Sequence, residues 1–245
     1  MPEIPAEFAD QFAMLVEYVC SELEGLGVIP GAPFTPEHER QLAPVMPKVM
    51  IEVWRRFGFA GFDEGRFWLC DPLAWKDATD AWTGSLDLEL GSDDWWPVRR
   101  SALGHIDLWG PRTGPSLMIS TLRGEVYPSD HSDTQDDPVM FETGLSALLG
   151  NLDRDSFDLF DNQGAGLFEQ CLAKLGPVSS ETMYTFAPVP ALGGQTAVGT
   201  AVIEQAVPHV MLLATLEGAD VKGDIVATRN QREAAVDDWI GGDEG

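Results

Sequence analysis

The stretch from Met46 to Trp75 reads MPKVMIEVWRRFGFAGFDEGRFWLCDPLAW, and the rest of the chain is arranged around it. Its first part has one apolar stripe at helical spacing, with charged residues on the opposite side; the stripe comprises Met46, Val49, Met50, Val53, Trp54 and Phe57. Pro47 suits the first turn of this helix and Gly58 suits its end. An aromatic run, Phe67 to Leu69, follows after turn residues and precedes Asp71-Pro72. The stretch predicts a helix, a tight turn and a strand.

Helices are also predicted before this stretch. Apolar residues recur at helical spacing near the start of the chain and leave a strongly acidic opposite face; they are Phe8, Phe12, Leu15, Val16, Val19 and Leu23. Thr35-Pro36-Glu37 has the N-cap, the first-turn proline and the carboxylate that favour the start of a second helix.

After Phe67 the signals change to short apolar runs between turn residues, which indicates mostly antiparallel strands up to Tyr127. One predicted strand is Leu86 to Leu90, where leucines alternate with Asp87 and Glu89. Residues 74–83 can instead form a short helix.

A polar, acidic segment from Ser129 to Pro138, SDHSDTQDDP, marks the predicted junction between two parts of the chain. Beyond it, amphipathic patterns at residues 141–149, 167–175 and 208–216 predict helices, and residues 184–189 and 198–206 predict strands. We therefore expect an α+β fold. N-terminal helices pack on a mostly antiparallel sheet in residues 1–130, a smaller α+β part occupies residues 131–245, and a loose acidic tail begins near residue 237.

The chain has 245 residues, with 15 basic and 40 acidic side chains and a formal net charge of -25. Such a charge repels phosphate backbones, so direct binding to nucleic acid is not expected. The same field speeds the approach of a basic protein partner. Acidity can also serve only to keep a cytoplasmic protein in solution.

The residues that carry most enzyme chemistry do not form known patterns. Cys20, Cys70 and Cys171 are odd in number and lack CxxC spacing, which argues against a disulfide framework and a zinc site. The four histidines have no HExxH or HxxxH spacing. Two aspartate clusters, at 130–137 and 153–161, lack the glycine and the last glutamate of an EF-hand loop. We expect no metal, no cofactor and no catalytic residue.

No run of apolar residues approaches the length that crosses a membrane, and the acidic N-terminus is unlike a signal peptide. A cytoplasmic location without membrane contact is the expectation.

The residues of the opening stretch resemble a bacterial family, the GAD-like (GAD-related) domain, which is distantly similar to the SMI1/KNR4 superfamily. The resemblance is carried by Trp54-Arg55, Phe57-Gly58, Gly61, Gly65, Trp68-Leu69 and Asp71-Pro72. It continues through residues 100–109, RSALGHIDLW, where Leu103 and His105 replace the usual Phe and Asp of the family. Residues 167–176 and 184–194, the latter YTFAPVPALGG, resemble the C-terminal domain that commonly follows.

This resemblance implies an immunity protein of the Tdi type, which protects a bacterium from a DNase toxin of the type VI secretion system. The expected partner is the nuclease domain of that toxin, a basic protein. Binding that occludes the active site or the DNA-binding surface would need no catalysis by this chain. Two alternatives stay open: a regulatory adaptor like the non-immunity relatives in the SMI1/KNR4 group, and an enzyme that uses carboxylates.

Clusters of acidic residues, one of them running into two tryptophans, are the candidate contacts with such a partner, because tryptophans and matched charges are common at binding hot spots. The first candidate group is Asp87, Glu89, Asp93, Asp94, Trp95 and Trp96. The second is Asp130, Asp133, Asp136 and Asp137. The alternative interpretation is a hairpin tip whose tryptophans only cover the sheet, since most tryptophans are largely buried.

Overall fold

A computed structural model of the protein describes residues 4–216 and 218–224. Its helices are α1 (Ala9–Gly25), α2 (Pro36–Leu42), α3 (Lys48–Phe57), α4 (Pro72–Thr83), α5 (Pro138–Gly150), α6 (Phe168–Leu175) and α7 (Ala206–Ala214). Its strands are β1 (Val28–Ile29), β2 (Gly61–Phe62), β3 (Phe67–Leu69), β4 (Trp96–Ser101), β5 (His105–Gly110), β6 (Gly114–Ser120), β7 (Glu125–Pro128), β8 (Thr182–Phe186), β9 (Ala201–Gln205) and β10 (Asp220–Val221). The predicted acidic tail from residue 237 lies outside the described residues.

Helix α3 is the helix that the opening stretch predicts. Its apolar stripe is buried, and Gly58 follows its last turn with a φ of 62°, a conformation that favours glycine. The first turn is capped from a distance, because the Glu142 carboxylate accepts hydrogen bonds from the backbone N–H groups of Lys48 (3.1 Å) and Val49 (2.9 Å). Burial raises the pKa of Glu142. Helix α5 therefore holds the start of α3.

Helix α4 confirms the alternative that the sequence offered for residues 74–83. The Asp71 carboxylate caps it by accepting from the N–H groups of Leu73 (3.0 Å) and Ala74 (3.2 Å). Pro72 occupies its first turn, and Trp75 and Trp82 lie buried on its inner face.

The strand predicted at Leu86 to Leu90 is wrong. This segment is an irregular loop that turns at Gly91, although Leu88 and Leu90 are buried and the two acidic residues between the leucines are exposed. Strand β4, which follows the loop, pairs with β3 on one side and with β5 on the other. The segment from Leu86 to Leu90 therefore finds no free edge of β4 to pair with, and its alternating pattern belongs to a half-buried loop.

The main sheet of the described residues has eight strands in the order β1-β2-β3-β4-β5-β6-β7-β10. Every neighbouring pair is antiparallel except β7 and β10. Strands β8 and β9 form a separate antiparallel pair. The fold is α+β, as the sequence predicts.

Hydrophobic cores cover both faces of the main sheet. One contains residues of α1, α3 and α5 and includes Trp54 and Trp109. The other contains residues of α4, α6, α7 and β8 and includes Leu108 and Tyr184. Each core has residues from before and after position 130, so the two parts of the chain share their buried interior.

Buried arginines also join the two parts. Arg66 lies beside Asp63 (2.8 Å), Asp158 (3.2 Å) and Glu169 (2.6 Å), and its guanidinium is 4.2 Å from the centre of the Phe168 ring. Since isolated charges are costly to bury, this arrangement needs all of its partners in place.

Arg100 makes a second such connection. Its Nη2 donates to the carbonyls of Ser179 (2.9 Å), Ser180 (3.0 Å) and Thr182 (3.1 Å), and burial lowers its pKa to about 10. The loop that leads into β8 is thereby fixed against β4.

Candidate functional site

The two acidic segments singled out in the sequence meet at one end of the main sheet. Strand β4 begins there and β7 ends there, on either side of the turn at residues 111–113 that joins β5 to β6. The Asp93 carboxylate accepts from the N–H groups of Arg112 (3.0 Å) and Thr113 (2.8 Å), and the His131 N–H donates to the Thr113 carbonyl (3.1 Å). Residues 87–96, 111–113 and 130–137 together are called the acidic end below.

Four exposed carboxylates of the acidic end have no internal partner. Across residues 4–216 and 218–224, no hydrogen bond or ion pair involves the carboxylates of Asp87, Glu89, Asp133 or Asp136. Their charges are available to a partner without the loss of any intramolecular bond.

Asp94 is intermediate between these free carboxylates and the structural ones. Its side chain is 56% exposed, lies 3.0 Å from the Lys76 ammonium and accepts a hydrogen bond from the Trp96 indole at 3.1 Å. An exposed ion pair of this kind contributes little to stability, so Asp94 can exchange Lys76 for another cation at small cost.

The remaining predicted aspartates stabilise local structure. Asp93 also accepts from the Thr113 hydroxyl (2.7 Å) and so fixes the β5–β6 turn. Asp130 accepts from the N–H of Ser132 (2.9 Å). Asp137 caps α5, with the N–H of Val139 at 2.8 Å and that of Met140 at 3.1 Å. These three carboxylates shape the acidic end more than they offer free charge.

The two tryptophans have different environments. Trp95 is only 3% exposed, and its indole N–H donates to the Ser116 hydroxyl at 2.8 Å inside the core. Trp96 is partly exposed, with the Lys76 ammonium 5.1 Å from its ring centre. Of these two tryptophans, only Trp96 has surface that a partner can contact.

One arginine, Arg112 of the β5–β6 turn, lies within the acidic end. Arg112 Nη2 donates to the carbonyls of Leu90 (2.6 Å) and Ser92 (2.9 Å), so its guanidinium binds the loop before β4. A cleft of about 410 Å³ opens beside it, between Pro111, Asp136 and Phe141. The cleft gives the acidic end a concave part.

Two of the histidines and two of the cysteines have pKa values shifted by burial. Burial lowers the pKa of His105 and of His209, and raises the pKa of the Cys70 thiol to about 12 and that of Cys171 to about 11. Within the described part of the chain, no group of three or more histidine, cysteine or acidic side chains could hold a metal ion.

Sequence reasoning missed one surface altogether. The sequence predicts an apolar stripe on α1, and in the structure none of its apolar side chains before Val19 is fully buried.

Two family models match consecutive parts of the chain. Residues 31–123 match the GAD-like domain, and residues 143–217 match the C-terminal domain of the type VI secretion system immunity protein Tdi1. The two domains are those of a type VI secretion immunity protein. The junction proposed at residue 130 lies between the matched segments.

A solved structure resembles this immunity protein in fold. The crystal structure of Atu4351 from Agrobacterium tumefaciens superposes with a TM-score of 0.68 over 80% of this chain and 87% of that chain, at 22% sequence identity. No curated protein matches the immunity protein in sequence. Among the described residues, no helix is both long and apolar enough to cross a membrane.

Proposed function

We propose that this immunity protein binds a cognate type VI secretion toxin, a DNase, and neutralises it one-to-one through the acidic end of its main sheet. The observation that carries the proposal is the group of four exposed carboxylates without internal partners beside the half-exposed Trp96. The Tdi1-type C-terminal domain supports the immunity role. The protein acts in the cytoplasm by occlusion, without catalysis and without a cofactor.

A DNase has to attract the phosphate backbone of DNA, so its substrate path is basic. A protein with a formal charge of -25 approaches such a surface quickly, and unpaired carboxylates can then replace phosphates as partners of its cations. Trp96 adds a partly exposed aromatic anchor beside the charged groups. The acidic end thus competes with DNA for the same positive groups.

The test is a binding titration against the nuclease domain encoded beside this gene, performed over a series of salt concentrations, with DNA cleavage followed in parallel. Loss of cleavage at a one-to-one ratio, with nanomolar or tighter binding, is the expected result. A steep decrease of affinity with salt is expected if carboxylates occupy the phosphate path. Binding without loss of cleavage would reject neutralisation, and a flat salt dependence would reject the acidic end as the blocking surface.

A further inference from the structure

The start of α1 presents an apolar stripe that the rest of the described protein leaves partly uncovered. Phe8, Phe12 and Leu15 are half-buried, whereas Val19 and Leu23 further along the same stripe are fully buried. Beside them, Met14 is 65% exposed and Tyr18 is 56% exposed.

Helix α5 forms the second wall of a groove above this stripe. The groove has a volume of about 220 Å³ at the end where Pro138 and Val139 face Phe8 and Phe12. It continues past Tyr18 towards Ala147 and Gly150. The space between α1 and α5 is called the α1–α5 groove below.

The two helices that form the α1–α5 groove carry acidic side chains and no basic ones. Glu7, Asp10 and Glu22 are exposed, and none of them has an ion pair among the described residues. At the other wall, Asp136 and Asp137 come immediately before α5. An apolar floor with an acidic rim is complementary to an amphipathic segment that carries basic residues.

We propose that the α1–α5 groove binds an amphipathic, basic helix of the cognate toxin, as a second part of the interface that begins at the acidic end. This inference rests on the proposed function. The apolar side of such a helix would bury the α1 stripe, and its basic residues would reach the acidic rim.

The position of the groove supports a single continuous interface. Asp137 belongs to the acidic end and caps α5, so the start of one groove wall is covalently joined to that surface. A toxin that docks on the acidic end therefore has the groove directly beside it. One continuous interface would then have charged contacts at the acidic end and apolar contacts in the α1–α5 groove.

The decisive variant is the double substitution Tyr18→Ser and Val139→Ser, assayed by isothermal titration against the toxin's nuclease domain. Both side chains line the groove and neither is fully buried, so the fold is expected to persist. The matched control is Leu192→Ser with Leu212→Ser, which removes two side chains that are 62% and 61% exposed outside the groove. We expect the groove variant to raise Kd by about tenfold or more and the control to leave it within about twofold.

Hydrogen exchange gives an independent readout. Binding of the nuclease domain to the unaltered protein should slow exchange at the amides of α1 and α5. Equal affinity of the groove and control variants, with no added protection of α1, would overturn the groove inference and leave the proposed function intact. A wild-type protein that does not bind the nuclease would overturn both.

A second copy of this chain is the competing occupant. Sedimentation of the immunity protein alone distinguishes it, because our proposal expects the same monomeric behaviour for the wild type and the groove variant. A wild-type dimer that the groove variant abolishes would assign the groove to self-association and overturn the inference.

Discussion

The guanidinium of Arg66 lies 3.2 Å from the carboxylate of Asp158, 92 residues later in the chain, and both side chains are almost completely buried. Asp158 uses its other oxygen to accept from the N–H groups of Leu159 (2.8 Å), Leu167 (2.9 Å) and Phe168 (2.9 Å). The pair therefore joins the turn before β3 to the start of α6. It makes the stability of one domain depend on the other.

Arg66→Leu should reduce the free energy of unfolding by about 3–5 kcal/mol, because it leaves the buried carboxylate of Asp158 without a cation and the buried Asp63 with only the exposed Arg154. Urea unfolding measures the change. Glu169→Gln is the control, since Glu169 contacts the same guanidinium with a side chain that is 59% exposed. That control should cost about 1 kcal/mol or less. Equal effects of the two variants would contradict a buried charge cluster.

Neutralising the four free carboxylates of the acidic end should slow association with the toxin. The variant combines Asp87→Asn, Glu89→Gln, Asp133→Asn and Asp136→Asn. Stopped-flow at low salt should give an association rate about tenfold lower, with a shallower salt dependence, because electrostatic steering is reduced.

Its control removes four exposed carboxylates from other parts of the surface: Glu64→Gln, Asp155→Asn, Glu181→Gln and Glu204→Gln. The net charge changes equally in both variants, so only the position of the charge differs. If both slow association to the same degree, total charge and not the acidic end controls the rate.

Trp95 and Trp96 should respond differently to alanine. Trp96→Ala is expected to raise the dissociation rate from the toxin by about tenfold, with a smaller loss of stability than Trp95→Ala because its ring is only partly buried. Trp95→Ala should instead cost about 3–5 kcal/mol of stability through the cavity that it leaves. Surface plasmon resonance and urea unfolding measure the two effects. A faster dissociation for Trp95→Ala alone would reverse the assignment.

Two neighbouring aspartates provide a test of local structure at the acidic end. Asp137→Ala should lower stability by about 1 kcal/mol because it removes the N-cap of α5. Asp136→Ala should stay within about 0.5 kcal/mol, as expected for an exposed position without partners. Thermal unfolding of both variants distinguishes them, and equal losses would show that the cap is not the cause.

The pH dependence of stability should have a histidine component. His105 and His209 have a pKa below the ordinary value of 6.5 because burial disfavours the charged ring. Between the lowered pKa and 6.5 the unfolded chain binds more protons than the folded one, so this contribution is complete above 6.5 and is lost as pH falls.

The double variant His105→Gln and His209→Gln should therefore lose less stability than the wild type when the pH falls from about 7.5 to about 5.5. Urea unfolding at both pH values gives the two differences. Both proteins contain the same carboxylates, so the effect of carboxylate protonation on stability is the same in each and drops out of the comparison. If the wild type and the double variant lose the same stability between the two pH values, the histidines are not the cause of the loss.

Local sequence signals determined much of the fold by themselves. The stripe of α3, with Pro47 before it and Gly58 after it, is readable because helical spacing and caps depend on residues a few positions apart. The Asp71-Pro72 start of α4 is readable for the same reason. The acidic composition of residues 87–94 and 130–137, and hence the kind of partner they suit, is also present in the sequence alone.

Other features depend on which segments meet in three dimensions. Leu86 to Leu90 alternates like a strand, but β4 has both edges paired with other strands and leaves it no partner. Adjacent tryptophans at 95 and 96 look equivalent, and only the packing of β4 buries the first. The half-buried first part of the α1 stripe looks like core in the sequence, because periodicity specifies a face and not what covers it.

The sequence by itself determined the α+β class, the principal caps and the charge of the protein, since all of these arise from local spacing and composition. Only the tertiary structure brought the two acidic segments to one turn, buried Trp95 beside Ser116 and left the α1–α5 groove open. The physical reason is that strand order and long-range packing decide which side chains lose contact with water. Strand order and long-range packing cannot be predicted from residues that are close together in the sequence.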